Sequence, residues 1–255
     1  MFGPLFIVVS ALWLLGCAGL LGLYFSPVEP ALRVWYSNGL QISSAFVCAL
    51  LCFRTIFAFE AGDSLRKVWG LLGSGALVWG CGALLYAGYQ YLHPDAEPPY
   101  PWFYDICYLA MPPLVISGLL MLKRSLQVPA PTWGILTAVW VLVVALSFQI
   151  WSSLGNFQDA QDIQTYAAVI GYMMMDPFLI ATTVLSASVL GGGLMAMPWW
   201  AVLMGLLSIY TGDLGYNFLV ANETYLTGMP VDLGWIMGWG FVAAAAMMNY
   251  RLMKS

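Results

Sequence analysis

Four aspartates stand within or at the edges of long apolar runs: Asp105, Asp176, Asp213 and Asp232. A carboxylate at the centre of a bilayer costs at least ~2.5–3.5 kcal/mol, so each should face a cavity or a polar partner. Binding of a proton, a cation or an amine-bearing ligand is the chemistry such groups offer. A structural reading stays open beside it. Asp105 and Asp232 fall at helix starts, where carboxylates cap backbone N–H groups and suit the helix dipole. Asp176 and Asp213 could equally accept hydrogen bonds from a Tyr, Trp or Ser on a neighbouring helix.

Other chemistries lack their residues. There is no phosphate-cradling P-loop, no G-x-S-x-G elbow, no H-E-x-x-H helix and no lysine in the last two apolar runs to carry retinal. No nucleophile–base pair is visible, so a non-enzymatic role is expected. The single histidine, His93, lies in a loop and is a poor metal or haem ligand by itself. Cys17, Cys48, Cys52, Cys81 and Cys107 lie mostly inside apolar runs, where free thiols act as small apolar side chains. Met173, Met174, Met175 and the Trp-rich stretches read as lipid- or core-facing; nothing specifies a pigment or quinone, and the cofactor is unknown.

The elements that position these residues follow from composition. The chain of 255 residues has 8 Lys+Arg and 12 Asp+Glu, with 62% hydrophobic residues. Its mean hydropathy is +0.83. A soluble domain of this size could not hide so much apolar surface, and a nucleic-acid binder would need a basic face. The lipid bilayer is therefore the expected solvent. Eight segments reach the ~20 apolar residues a bilayer requires: about 4–25, 37–59, 69–92, 104–122, 132–152, 166–190, 198–221 and 232–250. Barrel strands would be shorter and alternate in polarity. The first segment has no Lys or Arg before it and is read as a span rather than a signal peptide.

Basic residues set the orientation. Arg54, Arg66, Lys67, Lys123, Arg124, Arg251 and Lys254 fall on one side, and only Arg33 falls on the other. Both termini are expected in the cytoplasm. The opposite side carries Asp95, Glu97, Asp159, Asp162 and Glu223 with an aromatic belt of Tyr100, Trp102, Tyr104 and Trp151.

An internal repeat organises the spans. Trp69, Gly75, Gly82 and Tyr86 recur as Trp199, Gly205, Gly212 and Tyr216, each 130 residues further on. The following helix starts with Asp105 and then Asp232, and an aromatic comes three residues later, Tyr108 and then Trp235. The expected fold is an all-α integral membrane protein: one membrane domain over 1–255, built from two parallel four-helix repeats, 1–127 and 128–255. Pro112 and Pro113 in the fourth span and Pro177 in the sixth are expected to break their helices and free backbone carbonyls toward a polar cavity.

A resemblance now rests on named residues: Pro98, Pro99, Tyr100, Pro101, Asp105, Tyr108, Leu109, Pro113 and Leu114; then Tyr172 and Asp176; then Asp213, Tyr216, Tyr225, Gly228, Asp232, Trp235 and Gly238. In these the chain resembles the multi-span membrane sensory region at the N-terminus of bacterial diguanylate cyclase/phosphodiesterase (GGDEF/EAL) and histidine kinase proteins. Trp102 and Pro112 depart from that pattern, Met173 replaces a proline, and Ala83 occupies the first-half place of Asp213. The resemblance implies a location in the bacterial cytoplasmic (inner) membrane and a sensory role. No output domain follows within the chain, so a probable protein partner in the membrane or at its cytoplasmic face is implied.

The expected function is a non-enzymatic sensory or regulatory module with an outward-facing pocket for a ligand or proton, formed by Asp105, Asp176, Asp213, Asp232, Tyr108, Tyr172, Tyr216 and Trp235. Two alternatives stand beside it: an accessory subunit of a larger bioenergetic or photosynthetic membrane complex, packing on protein, pigment or lipid, and a small transporter. No nucleic-acid partner is expected.

Overall fold

Apolar runs of more than twenty residues can satisfy their backbone polar groups within lipid only by coiling into helices. The computed structural model describes residues 3–93, 96, 98–159 and 162–254, without the side chains of 154–159. Eight long helices appear in it: α1 (Pro4–Phe25), α2 (Pro30–Ile56), α3 (Ser64–Leu92), α4 (Phe103–Ser125), α5 (Thr132–Asp159), α6 (Ile163–Ala187), α7 (Met197–Ala221) and α8 (Leu233–Lys254). There is no strand among the described residues. The starts are locally encoded. Proline occupies the first turn of α1, α2 and α7, where its missing N–H has no helical partner to lose. Asp63 caps α3 by accepting from Leu65 N at 2.8 Å.

Seven of the eight helices are long and apolar enough to cross a membrane. The exception is α7, which carries Asp213 and Asn217 among its apolar residues. Asp95 and Glu97 lie outside the described residues, as does the side chain of Asp159. Several boundaries differ from expectation. Helix α2 begins at Pro30, so Arg33 belongs to its first turn. Asp232 closes a 3-10 turn, Pro230–Asp232, and α8 begins after it. Pro112, Pro113 and Pro177 do not break their helices: α4 and α6 run through them continuously. A proline removes one helical hydrogen bond, and packing by neighbouring helices is enough to hold the remaining turns in register.

The main core is built by α2, α3, α4, α6, α7 and α8, and Trp69 and Trp239 are its largest fully buried side chains. Helix α1 leans on α8 and α2, while α5 packs mainly on α6. Trp69 and Trp199 stack on each other with ring centroids 5.1 Å apart and planes 28° from parallel.

Close helix contacts occur at matching positions in two helix pairs. A Cβ on Gly75 of α3 would meet Val115 and Met111 of α4; one on Gly205 of α7 would meet Val242 and Gly238 of α8. A Cβ on Gly82 would meet Tyr108 and Cys107, and one on Gly212 would meet Trp235 and Gly234. Each α8 contact residue stands 127 positions after its α4 counterpart. Small residues therefore bring the backbones of α3–α4 and of α7–α8 together in the same way. All five cysteines are free, and Cys48 and Cys52 place their sulfurs 4.0 Å apart on α2.

Candidate functional site

Helix α6 carries Asp176 halfway along its length. Thirteen residues separate it from the helix start at Ile163, which at 1.5 Å per residue places it ~20 Å along the axis. Asp162 fixes that start: its Oδ1 accepts from Gln164 N at 2.9 Å and Thr165 N at 2.8 Å. The bond from Thr165, more than any other effect, holds the exposed Asp162 carboxyl below the usual carboxylate range.

Asp176 is buried, and its Oδ2 accepts from Gln149 Nε2 of α5 at 3.1 Å. The carbonyl oxygen of Gln149 accepts in turn from Asn217 Nδ2 of α7 at 3.1 Å and from Ser152 Oγ at 3.4 Å. One helical turn before Asn217, Asp213 accepts from the indole Nε1 of Trp235 on α8 at 2.7 Å. Asp213 thus stands one turn of α7 from the amide that joins α7, through Gln149, to Asp176. Among the described residues, none of the interactions on these two carboxylates comes from a lysine or arginine. The result is two polar links, Asn217–Gln149–Asp176 across α5, α6 and α7 and Asp213–Trp235 between α7 and α8, with Ala145, Ile180, Tyr210 and Leu214 forming an apolar cluster on the same helices.

Asp105 and Asp232 are placed differently. Asp105 is the third residue of α4; its Oδ2 accepts from Trp102 N at 2.7 Å and its Oδ1 from Tyr172 of α6 at 2.7 Å. Asp232 is fully buried. Its Oδ2 accepts from Ser37 Oγ at 2.6 Å, Gly228 N at 2.8 Å and Gln41 Nε2 at 3.4 Å, and its Oδ1 from Tyr225 at 3.0 Å. Asp105 secures the start of α4 and grips α6, and Asp232 ties the loop before α8, through Gly228 and Tyr225, to α2. That arrangement makes them staples of the fold.

Tyrosines fill the space between. Tyr216 lies edge-on to Trp235 at 5.8 Å and to Tyr225 at 4.7 Å. Tyr108 lies 5.5 Å from Trp79, which in turn lies 6.4 Å from Trp235. In the loops, burial beside Asp232 pushes the Tyr225 phenol well above its ordinary value, keeping it a donor to that carboxylate. Burial, with the charge of Asp105, pushes Tyr100 up to about 12.

Of the eight expected pocket residues, Asp176, Asp213, Tyr216 and Trp235 gather at one place, with Tyr108 joined to them through Trp79. Asp105 with Tyr172, and Asp232, hold hydrogen bonds of their own, with Asp232 joined to Tyr216 through the ring of Tyr225. Gln149, Asn217 and Tyr210 went unread in the sequence. Gln149 had a signal: it is the lone amide in the apolar run 133–151. Asn217 had a weaker one, its four-residue spacing from Asp213. Among the described residues, no group of three His, Cys, Asp or Glu side chains could hold a metal ion.

No family model, curated protein or solved structure matches this chain.

Proposed function

We propose that this chain is a non-enzymatic sensory or regulatory module of the membrane. Its ligand is a proton or a small cation, taken up between Asp176 and Asp213. The observation that carries this reading is two carboxylates on neighbouring apolar helices, linked through Gln149 and Asn217 and held by amide and indole donors, with no positive side chain among their described hydrogen-bond partners. Two carboxylates without a cation carry up to two uncompensated negative charges, and protonation or a bound cation offsets them. The resemblance to bacterial sensory regions supplies the class of role, with output through a partner protein at the cytoplasmic face.

The reading takes all eight helices as spans, with α7 turning its polar residues toward α5 and α8. It takes both termini as cytoplasmic, in a bacterial inner membrane. The matching glycine contacts support two parallel four-helix repeats. The asymmetry between them then has meaning, because Ala83 stands in the first half where Asp213 stands in the second. Uptake of a charge at Asp213 would change its bond to Trp235 and so the seating of α8 on α7. A change of that kind is a signal only if the ligand binds two arrangements unequally.

Thermal unfolding in nanodiscs tests this. A ligand that binds the folded state raises its stability with concentration. Titration with acid, sodium and a small amine should raise the unfolding temperature of the wild type for one of the three. The response should vanish in Asp176→Asn and Asp213→Asn, and identical responses in all three proteins would refute the proposal.

The accessory-subunit alternative draws on Trp140. It is 66% exposed and lies eight residues into α5, ~12 Å from the helix start. Trp normally favours the membrane interface, so an exposed mid-depth indole fits a neighbouring protein or pigment. Co-purification at fixed stoichiometry in mild detergent would favour that reading.

A further inference from the structure

A cleft of about 360 Å3 opens where α1 starts and α2 and α8 end. Leu5, Phe6, Met247 and Leu252 supply its apolar wall, and Arg54, Arg251 and Lys254 its polar one. Among the described lining residues there is no acid. One of the cations is held in place: the guanidinium of Arg54 sits 4.1 Å from the ring centroid of Tyr250, a cation–π contact that fixes its direction. The guanidinium of Arg251 lies against the backbone of Gly3. A second cleft at the same end, about 500 Å3, sets Asp63 against Arg124 and lacks this imbalance.

Three positive groups around one recess, bordered by apolar residues at a helix-bundle end, match a phosphate carried on an acyl-chain anchor. Arginine offers forked donors to phosphate oxygens, and lysine adds a point charge. We infer that this cleft binds the phosphate of an anionic phospholipid, with Arg54, Arg251 and Lys254 on the headgroup and Leu5 and Met247 against the upper acyl chain. The shared chemistry is a phosphate anion; the exposed apolar side chain of Leu5 favours the lipid over a soluble source. Basic side chains next to a membrane each strengthen attraction to anionic lipid.

Native mass spectrometry of the full chain, released from nanodiscs containing phosphatidylglycerol and phosphatidylcholine, tests the assignment. Wild type should retain phosphatidylglycerol in preference to phosphatidylcholine by about tenfold. Lys254→Gln, at an exposed helix end, should reduce that preference, and Arg54→Gln with Arg251→Gln and Lys254→Gln should abolish it. Arg124→Gln, in the second cleft, should leave it unchanged. Should the triple variant fail to insert, the single Lys254→Gln comparison with Arg124→Gln decides. Equal losses in Lys254→Gln and Arg124→Gln, or no loss in either, would overturn the site. Excess inorganic phosphate should not displace the lipid; displacement would assign the cleft to a soluble phosphate and overturn the lipid reading.

Discussion

Asp232 shows how much structural work one carboxylate does in this protein. Four donors from α2 and from the loop before α8 converge on it. Removing the acceptor would leave several buried donors without a partner, each costing about 1–3 kcal/mol. Asp232→Ala should therefore lower unfolding free energy by about 3 kcal/mol or more, measured by denaturant titration in detergent; a loss too small to measure would show that these bonds are replaced by water. Tyr225→Phe removes a single donor and should cost visibly less. Asp162 offers a pH test. Its folded carboxyl titrates below the unfolded range, so the capping contribution is fully present above the ordinary carboxylate range. It is lost as pH falls through the depressed folded value. Amide exchange at Gln164 and Thr165 should accelerate in acid, and Asp162→Ala should show fast exchange at every pH.

At the scale of helices, glycines decide which pairs pack closely. A Cβ on Gly205 would lie 2.6 Å from the Gly238 carbonyl oxygen, a backbone atom with nowhere to go, whereas one on Gly88 would meet nothing within 4 Å. Gly205→Ala should destabilise by about 1–3 kcal/mol through overpacking. Gly88→Ala should be neutral or gain up to about 1 kcal/mol from helix propensity. Thermal melts of the two variants check this, and equal effects would contradict the packing. The helices themselves were legible in the sequence because apolar length is a local signal, but their polar first turns were not: α2 starts at Pro30 rather than at 37, and α3 and α6 start after the caps Asp63 and Asp162 rather than at 69 and 166. The course of α4 and α6 past Pro112, Pro113 and Pro177 was not. Whether a proline breaks a helix depends on what surrounds it, and surroundings are a tertiary property. The same limit explains Gln149: its amide type was visible, but its placement between Asp176 and Asn217 required α5, α6 and α7 to meet.

At the scale of the whole molecule, three sets of charges stand out. Arg54, Arg251 and Lys254 share a cleft at one end of the bundle. Asp105 and Asp232 tie the two halves together by reaching across to α6 and α2. Asp176 and Asp213 remain without a counter-charge among the described residues. Sequence position already set Asp105 and Asp232, at helix starts, apart from Asp176 and Asp213, yet placed all four in one pocket. Hydrogen-bond partners separate them into two anchors and one pair. The indole of Trp235 reports directly on that pair, because it donates to Asp213 at 2.7 Å. Its resonance in a ¹H–¹⁵N spectrum, identified by comparison with Trp235→Phe, should be followed across roughly pH 4–9 and against added sodium, the span over which perturbed carboxylates titrate. The account predicts a titrating shift in wild type, a displaced midpoint in Asp176→Asn and no shift in Asp213→Asn. A wild-type resonance that stays fixed under both titrations, or one that moves identically in Asp176→Asn, would contradict the carboxylate pair as the binding site.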